Sequence, residues 1–228
     1  MAQMTEEQVL AAYVEKMGQE LGTLFNTISG ELSWLHWRWK QYRILFGEKP
    51  SRLDLLNESA PFFFRVIQDV LFEDTLLGIA RLVGSPKSAG NSTLTIQRLP
   101  PLVGDPNLRD EVSVLIQNAT TSAAFAVEWR HRRIAHRDLA LALGTSTQVL
   151  EIATREKVEG ALSALREVLN HIEGVYCNAH TAYYSPALGD AKSLLYVIRD
   201  GLLRERDRQA QWNNGERHDD DLAPLGEI

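Results

Sequence analysis

The chain has 228 residues but only one cysteine and no long apolar run, and both shortages exclude classes of protein. Cys177 alone cannot form an internal disulfide or a Cys-x-x-Cys zinc site. The longest apolar stretches, such as residues 60–64 and 139–143, fall far below the roughly 20 residues that cross a bilayer. The polar, acidic N-terminus also differs from a signal peptide. We therefore expect a protein of the reducing cytoplasm without a membrane anchor.

Motifs of several catalytic classes are also missing. The sequence has no Gly-rich phosphate loop and no Gly-x-Ser-x-Gly elbow. His131 and His136 are five residues apart, which does not match the i, i+4 spacing of helical zinc ligands, and no third ligand is nearby in sequence. We therefore expect neither a metal ion nor a cofactor.

Apolar residues recur every three or four positions through most of the chain, which is the spacing of amphipathic helices. Convincing alternating strand patterns and internal repeats are absent. Thr5 with Gln8 resembles a capping box, and it opens one long helix, or a pair bent near Gly30, that reaches Phe46. The sequence therefore predicts an all-α protein, most simply an antiparallel helical bundle.

Turn and capping residues divide the rest of this bundle. After a turn over residues 47–50, Ser59 and Pro61 mark the start of a second helix, with an apolar face that includes Phe63 and Val70. Residues 84–92, rich in Gly, Ser, Pro and Asn, indicate a flexible surface loop.

Three further helices complete the prediction. They begin near Asp105 and Pro106, at Thr154 with an end near Tyr183, and at Asp190. We assign residues 1–204 to a single helical domain and residues 205–228 to a polar, acidic and disordered tail.

A cluster of cations stands out at the predicted end of the third long helix. Residues 130–137 contain four arginines and two histidines, although the whole chain has a formal net charge of -6. Such a local concentration of positive charge indicates a phosphate site, and imidazole with guanidinium suits phosphodiester chemistry. The competing explanation is structural, because cations near a helix C-terminus also stabilise the helix dipole.

The spacing Arg130-His131-x4-His136 resembles the Arg-x4-6-His motif of the HEPN superfamily, and the flanking residues are similar to its abortive-infection-associated AbiU-type family. The similarity covers roughly residues 37–183 and includes four other segments: residues 39–47, 55–57, 60–63 and 77–82. This resemblance implies a helical bundle that dimerises and brings two copies of the motif into one cleft. In many such proteins this cleft is the active site of a metal-independent endoribonuclease.

Under that resemblance the motif residues have distinct expected roles. His136 exchanges protons with the ribose 2′-hydroxyl or the leaving oxygen, and Arg130 stabilises charge on the phosphoryl oxygens. His131 orients the phosphate or shares proton transfer. The remaining arginines are expected to hold flanking RNA phosphates: Arg132, Arg133 and Arg137.

The alternative function is a non-catalytic helical module that binds RNA, a nucleotide or a protein through the same cleft. The expected partners are RNA, a second copy of the chain and, in a phage-defence or toxin–antitoxin setting, a cognate antitoxin. Loss of Arg130 or His136 alone should sharply reduce catalysis, whereas binding should depend broadly on the other arginines.

Two further groups of residues have both structural and functional interpretations. Trp34, Trp37 and Trp39 could form a stacking platform for bases, but aromatic residues on an amphipathic helix more often lie in a core or a dimer interface. Glu73 and Asp74 are candidates to pair with Arg130 or to orient a histidine, with a solvated acidic turn as the alternative.

Overall fold

A computed structural model describes residues 5–136, 138–147, 149–183 and 189–216. These residues form two compact units, the first within residues 1–40 and 70–185 and the second within residues 41–69 and 186–228. The described residues are largely helical, with one small β-hairpin, which confirms the all-α prediction. No helix among them has the length and apolar character needed to cross a membrane.

The described residues contain nine α-helices, two π-helical turns and two short 3₁₀ turns. The α-helices are α1 (Glu6–Met17), α2 (Gln19–Tyr42), α3 (Pro50–Ser59), α4 (Pro61–Leu82), α5 (Pro106–Ser122), α6 (Ala124–Trp129), α7 (Leu139–Ala142), α8 (Arg155–Cys177) and α9 (Asp190–Asn213). The π-helical turns cover Arg43–Gly47 and Arg130–Ile134, and the 3₁₀ turns cover Ile96–Arg98 and Pro100–Leu102.

The helix starts follow the capping signals in the sequence. The Thr5 side chain and the Gln8 side chain form the reciprocal capping box at the start of α1. Asp105 accepts hydrogen bonds at the start of α5, Thr154 caps α8, and α4 begins at Pro61. These three predicted starts are therefore confirmed, because a cap depends on only a few neighbouring residues.

The first helical segment is broken at Gly18 and not near Gly30, so the predicted bend was placed wrongly. Gly18 has a φ of 83°, a conformation that favours glycine, whereas Gly30 lies inside α2. A Cβ on Gly22 would lie 2.6 Å from the Tyr13 carbonyl oxygen, so α1 and α2 meet with their backbones in close contact. Periodicity alone could not place the break, because both helices keep the same apolar spacing.

The predicted apolar face of α4 is also partly wrong. Phe63 and Val70 are 61% and 55% exposed, whereas Phe64, Leu76 and Ile79 are buried. Apolar residues surround this helix on all sides, so the pattern does not select one face. The short helix α3 was missed as well, because its ten residues are mostly polar.

Helices α5 and α8 form the centre of the first unit and run antiparallel. His171 near the end of α8 lies 2.8 Å from the Glu111 carboxylate near the start of α5. At the other end, the Trp129 indole nitrogen donates to the carbonyl oxygen of Glu151, just before α8. The facing residues are buried: Leu108, Val112, Ile116, Ala119, Val158, Leu162, Leu165, Leu169 and Ile172.

Helices α2 and α4 cross closely beside this core. A Cβ on Gly78 would lie 2.8 Å from Leu35 Cδ1, so glycine allows the two helices to approach. Four residues earlier on α4 and three later on α2, Asp74 forms an ion pair with Arg38. Residue numbers rise along α2 from Leu35 to Arg38 while they fall along α4 from Gly78 to Asp74, so these two segments are antiparallel.

The segment over residues 84–92, predicted as a flexible loop, contains a hairpin. Strand β1 (Lys87–Ser88) pairs antiparallel with β2 (Asn91–Ser92). The turn uses Ala89 and Gly90, both with positive φ. Two-residue strands give too few positions for an alternating pattern, so this hairpin could not be recognised by periodicity.

The C-terminal boundaries also differ from the prediction. Helix α8 ends at Cys177, where Asn178 adopts a left-handed conformation, and not near Tyr183. Helix α9 continues to Asn213, so residues 205–213 are helical where the tail was predicted to begin. The tail residues 217–228 lie outside the described residues, and the assignment of residues 1–204 to one domain stays a prediction.

Polar contacts connect the elements of the second unit. The Gln41 side chain accepts from the Ala191 backbone amide at 3.1 Å, where α9 begins. Arg52 on α3 donates to the Ile44 carbonyl oxygen at 2.6 Å. Arg206 on α9 lies 2.5 Å from the Glu58 carboxylate.

Candidate functional site

The Arg/His cluster begins in a π-helical turn that follows α6. The predicted long third helix is interrupted at Ala123, and α6 then continues the chain to Trp129. The Ala135 amide donates to the Arg130 carbonyl oxygen at 2.8 Å, a hydrogen bond that spans five residues. This wider turn changes the directions of the motif side chains relative to a regular helix.

Trp129 anchors the start of the cluster. Its ring meets Phe72 of α4 edge to face at a centroid distance of 5.7 Å. Its indole nitrogen donates to the Glu151 carbonyl oxygen at 2.7 Å. The residue before Arg130 is therefore fixed both to α4 and to the segment before α8.

Arg132 is held by other protein groups. Its guanidinium lies 2.8 Å from the Glu128 carboxylate, donates to the Ser146 hydroxyl at 3.0 Å and lies 3.9 Å from Asp138. Its side chain is only 15% exposed. These contacts connect the π-helical turn to the segment that follows it, and a contact of Arg132 with RNA stays a prediction.

Arg133 is more accessible, with a side chain that is 52% exposed. Its Nε lies 3.4 Å from the Glu73 carboxylate, and its guanidinium carbon lies 5.0 Å from the Trp129 ring centroid. Glu73 therefore pairs with Arg133, and Asp74 pairs with Arg38. Among the described residues neither carboxylate pairs with Arg130, although such a pair was one of the expectations for them.

Arg130 and His131 line a cavity of about 690 Å³ in the first unit. Arg130 is half-buried and His131 is exposed. His136 is also exposed, but it is not among the side chains that line this cavity. One chain thus places two of the three predicted catalytic residues in the cavity and the third outside it, and Arg137 lies outside the described residues.

Three other cations line the same cavity, and sequence reasoning did not assign them to the site. Arg38 comes from α2, Arg81 from α4 and Lys87 from the hairpin. Among the described residues that line the cavity, Glu31 is the single carboxylate. No local motif connects these positions, which lie more than 40 residues before Arg130 in the sequence. The cavity therefore combines cationic side chains from four separate elements, and this arrangement favours an anionic ligand.

The other histidines lie elsewhere. His36 stacks on Tyr183 at a centroid distance of 5.8 Å, and burial, with the nearby Arg166 charge, lowers its pKa to about 4. His171 pairs with Glu111, and His180 packs near Gly174. His218 lies outside the described residues. The described part of the chain also contains no group of three or more His, Cys, Asp or Glu residues that could hold a metal ion.

The three tryptophans of α2 differ in their surroundings. Trp39 is 4% exposed and belongs to the core, as the structural interpretation predicts. Trp34 is 61% exposed and meets Trp37 edge to face at a centroid distance of 5.5 Å. The three side chains therefore do not form one continuous stacking surface.

An all-α fold with an Arg-x5-His cluster beside a cationic cavity is consistent with the HEPN class of proteins. The sequence profile of the HEPN-type AbiU2 family matches residues 18–194, so the chain belongs to this abortive-infection family. The match includes the Arg/His cluster and every residue that lines the cavity. No curated protein and no solved structure matches the chain.

Proposed function

We propose that this protein is a metal-independent endoribonuclease of the HEPN type. The observation that carries the proposal is the presence of Arg130 and His131 in a cavity with Arg81, Lys87 and Arg38, of which Arg38 is paired with Asp74. The chain as a whole has a formal net charge of -6, so this concentration of positive charge is local. Guanidinium and imidazole groups at one surface suit the binding of a phosphodiester and the transfer of its protons.

The proposed reaction uses the RNA strand's own 2′-hydroxyl as the nucleophile. Its oxygen attacks the adjacent phosphorus while the bond to the 5′-oxygen breaks, which gives a 2′,3′-cyclic phosphate and a 5′-hydroxyl. One proton leaves the 2′-hydroxyl and one reaches the leaving 5′-oxygen. His136 carries out one of these transfers, and His131 or a water molecule carries out the other. Arg130 stabilises the charge on the phosphoryl oxygens, and His131 orients the phosphate or shares proton transfer.

A homodimer would complete the site. Arg130 and His131 line the cavity of one chain, whereas the exposed His136 lies outside that cavity. A second copy that covers His136 would bring further motif residues to it and exclude water from the reacting groups. We therefore propose dimerisation through the surface around His136.

RNA and a cognate antitoxin are the proposed partners, and RNA cleavage is the proposed activity in abortive infection. Arg133 is exposed enough to contact a flanking phosphate once its pairing with Glu73 is exchanged for RNA. Arg137 is assigned the same role from the sequence alone. Arg132 contributes mainly by holding the turn, because its charge is already engaged by Glu128.

The direct test is incubation of the purified protein with total RNA in EDTA. We expect the wild type to cleave RNA and to leave 2′,3′-cyclic phosphate ends, and His136→Ala to lose activity by about 10²-fold or more. His180→Ala, a substitution at an exposed histidine outside the cluster, is the matched control. Full cleavage by folded His136→Ala would contradict the assignment of His136.

The same experiment distinguishes the alternative of a non-catalytic binding module. The cationic cavity by itself favours an anionic ligand, whether or not the ligand is cleaved. If wild type and His136→Ala both leave RNA intact but bind it equally well, the binding module is the better description. Binding should then fall gradually as individual arginines of the cluster are replaced.

A further inference from the structure

The cationic cavity is formed by elements that are distant in sequence, and its charges are distributed around it. Arg81 comes from the end of α4, Lys87 from β1, and Arg130 from the π-helical turn. Arg81 and Lys87 are exposed, so both side chains are accessible to a ligand. Among the described residues, neither side chain has a carboxylate partner within ion-pair distance.

The hairpin that carries Lys87 is tied firmly to the first unit. Arg98 donates to the Thr93 carbonyl oxygen at 2.7 Å and to the Pro86 carbonyl oxygen at 2.5 Å, on both sides of the hairpin. The Thr95 hydroxyl lies 2.9 Å from the Leu82 carbonyl oxygen, at the end of α4. These contacts fix the base of the hairpin, so Lys87 stays beside the cavity.

We propose that Arg81 and Lys87 bind a nucleotide phosphate inside this cavity, together with Arg130. The inference rests on the proposed function for the nature of the ligand and adds two phosphate-binding residues that lie outside the Arg/His motif. A volume of about 690 Å³ lies within the range of cavities that hold a small organic ligand. It therefore suits one nucleotide unit.

The remaining lining groups fit the other parts of a nucleotide. Gly78, Leu94 and Val127 offer apolar contact for a base or sugar. Glu31 accepts hydrogen bonds from the amino groups of a base or the hydroxyls of a ribose. His131 lines the same cavity, which places the nucleotide next to the proposed catalytic residues.

The test measures binding of a fluorescent RNA oligonucleotide with 2′-O-methyl groups, which cannot undergo attack by the 2′-hydroxyl. We expect Arg81→Ala and Lys87→Ala each to weaken binding about tenfold and to reduce the salt slope by about one. Arg65→Ala and Lys192→Ala remove the same charges from exposed positions in the second unit and should change binding less than about twofold. Circular dichroism verifies that all four variants are folded.

Competition with adenosine 5′-monophosphate and adenosine identifies the source of the phosphate. Displacement of the fluorescent oligonucleotide by the monophosphate but not by adenosine would show that the cavity accepts a free nucleotide. If neither compound displaces the oligonucleotide, the cavity binds a phosphate within an RNA strand. Both outcomes support the inference when the cavity variants bind more weakly than their controls. Equal binding by cavity variants and controls would overturn it, as would failure of the wild type to bind the oligonucleotide.

Failure of the proposed function is distinguishable from failure of this inference. Intact RNA after incubation with wild type, combined with weaker binding by Arg81→Ala and Lys87→Ala, would contradict catalysis and leave the phosphate site in place. Normal cleavage by wild type, combined with unchanged binding by both cavity variants, would overturn only the role of Arg81 and Lys87.

Discussion

The Ala135 amide donates a 2.8 Å hydrogen bond to the carbonyl oxygen of Arg130, and this contact closes the π-helical turn of the motif. A π-helical turn inserts one extra residue relative to an α-helical turn, so it changes the directions of the side chains around it. The turn places Arg130 and His131 at the cavity. Its geometry is therefore a determinant of the site that substitutions can test.

Ala135→Pro should remove this hydrogen bond and disrupt the turn, because proline has no amide hydrogen and also restricts Ile134. We expect a large loss of RNA cleavage, and circular dichroism verifies that the variant keeps its helical fold. Ala135→Ser keeps the amide and serves as the control at the same position. Equal cleavage rates for the two variants would show that the turn does not position the site.

Glu73→Gln should strengthen RNA binding, because Glu73 competes with phosphate for Arg133. The pair is partly exposed, so we expect a gain of about two- to fivefold in affinity at low salt. Asp69→Asn, which removes a carboxylate paired with Arg65 in the second unit, is the matched control. Fluorescence anisotropy at several salt concentrations measures the RNA affinity. Equal gains in affinity for both variants would show that the change in net charge alone causes the effect.

Arg132→Ala should loosen the segment after the motif, because Arg132 connects Glu128 to Ser146 and Asp138. The exposed side chains of Leu139 and Leu143 are then expected to become faster cleavage sites for thermolysin. Arg155→Ala, which breaks a pair with Glu159 on the surface of α8, provides the comparison. Equal proteolysis rates would show that Arg132 does not hold this segment.

Gly22→Ala and Gly30→Ala should change stability in opposite directions. A Cβ on Gly22 would meet the Tyr13 backbone at 2.6 Å, so we expect a loss of about 1–3 kcal/mol or more in the free energy of unfolding. Gly30 is an exposed helical residue with nothing within 4 Å of a Cβ, so alanine there should add about 0.5–1 kcal/mol. Urea denaturation measures both, and destabilisation by Gly30→Ala would contradict the uninterrupted helix α2.

The half-buried imidazole of His36 should make stability fall as the solution becomes acidic. Its pKa is lowered to about 4, while an unfolded chain has a histidine pKa near 6.5. Between these values the unfolded state binds the proton and the native state does not, so stability is fully present above pH 6.5 and is lost as the pH falls towards 4.

His36→Phe keeps an aromatic ring beside Tyr183 and removes the titration. We expect the melting temperature of this variant to depend less on pH between 6.5 and 4 than that of the wild type. His180→Ala should keep the wild-type slope. An identical slope for His36→Phe and the wild type would show that His36 does not cause the acid sensitivity.

Features that depend on neighbouring residues can be predicted from local sequence patterns. Caps at Thr5, Asp105 and Thr154 place helix starts within a few positions, because the side chain and the amide that it binds are adjacent in the chain. The apolar period predicts the all-α class, and the Arg/His spacing places the motif.

Features that depend on residues far apart in the chain are visible only once the helices have packed together. The cavity contains Arg38, Arg81 and Lys87 because α2, α4 and the hairpin meet beside the π-helical turn, and no local pattern encodes that meeting. The break at Gly18 depends likewise on how closely α1 and α2 pack at Gly22. The period of the apolar residues indicates that an element is a helix. Packing against other elements then selects the face that is buried and the charges that come together.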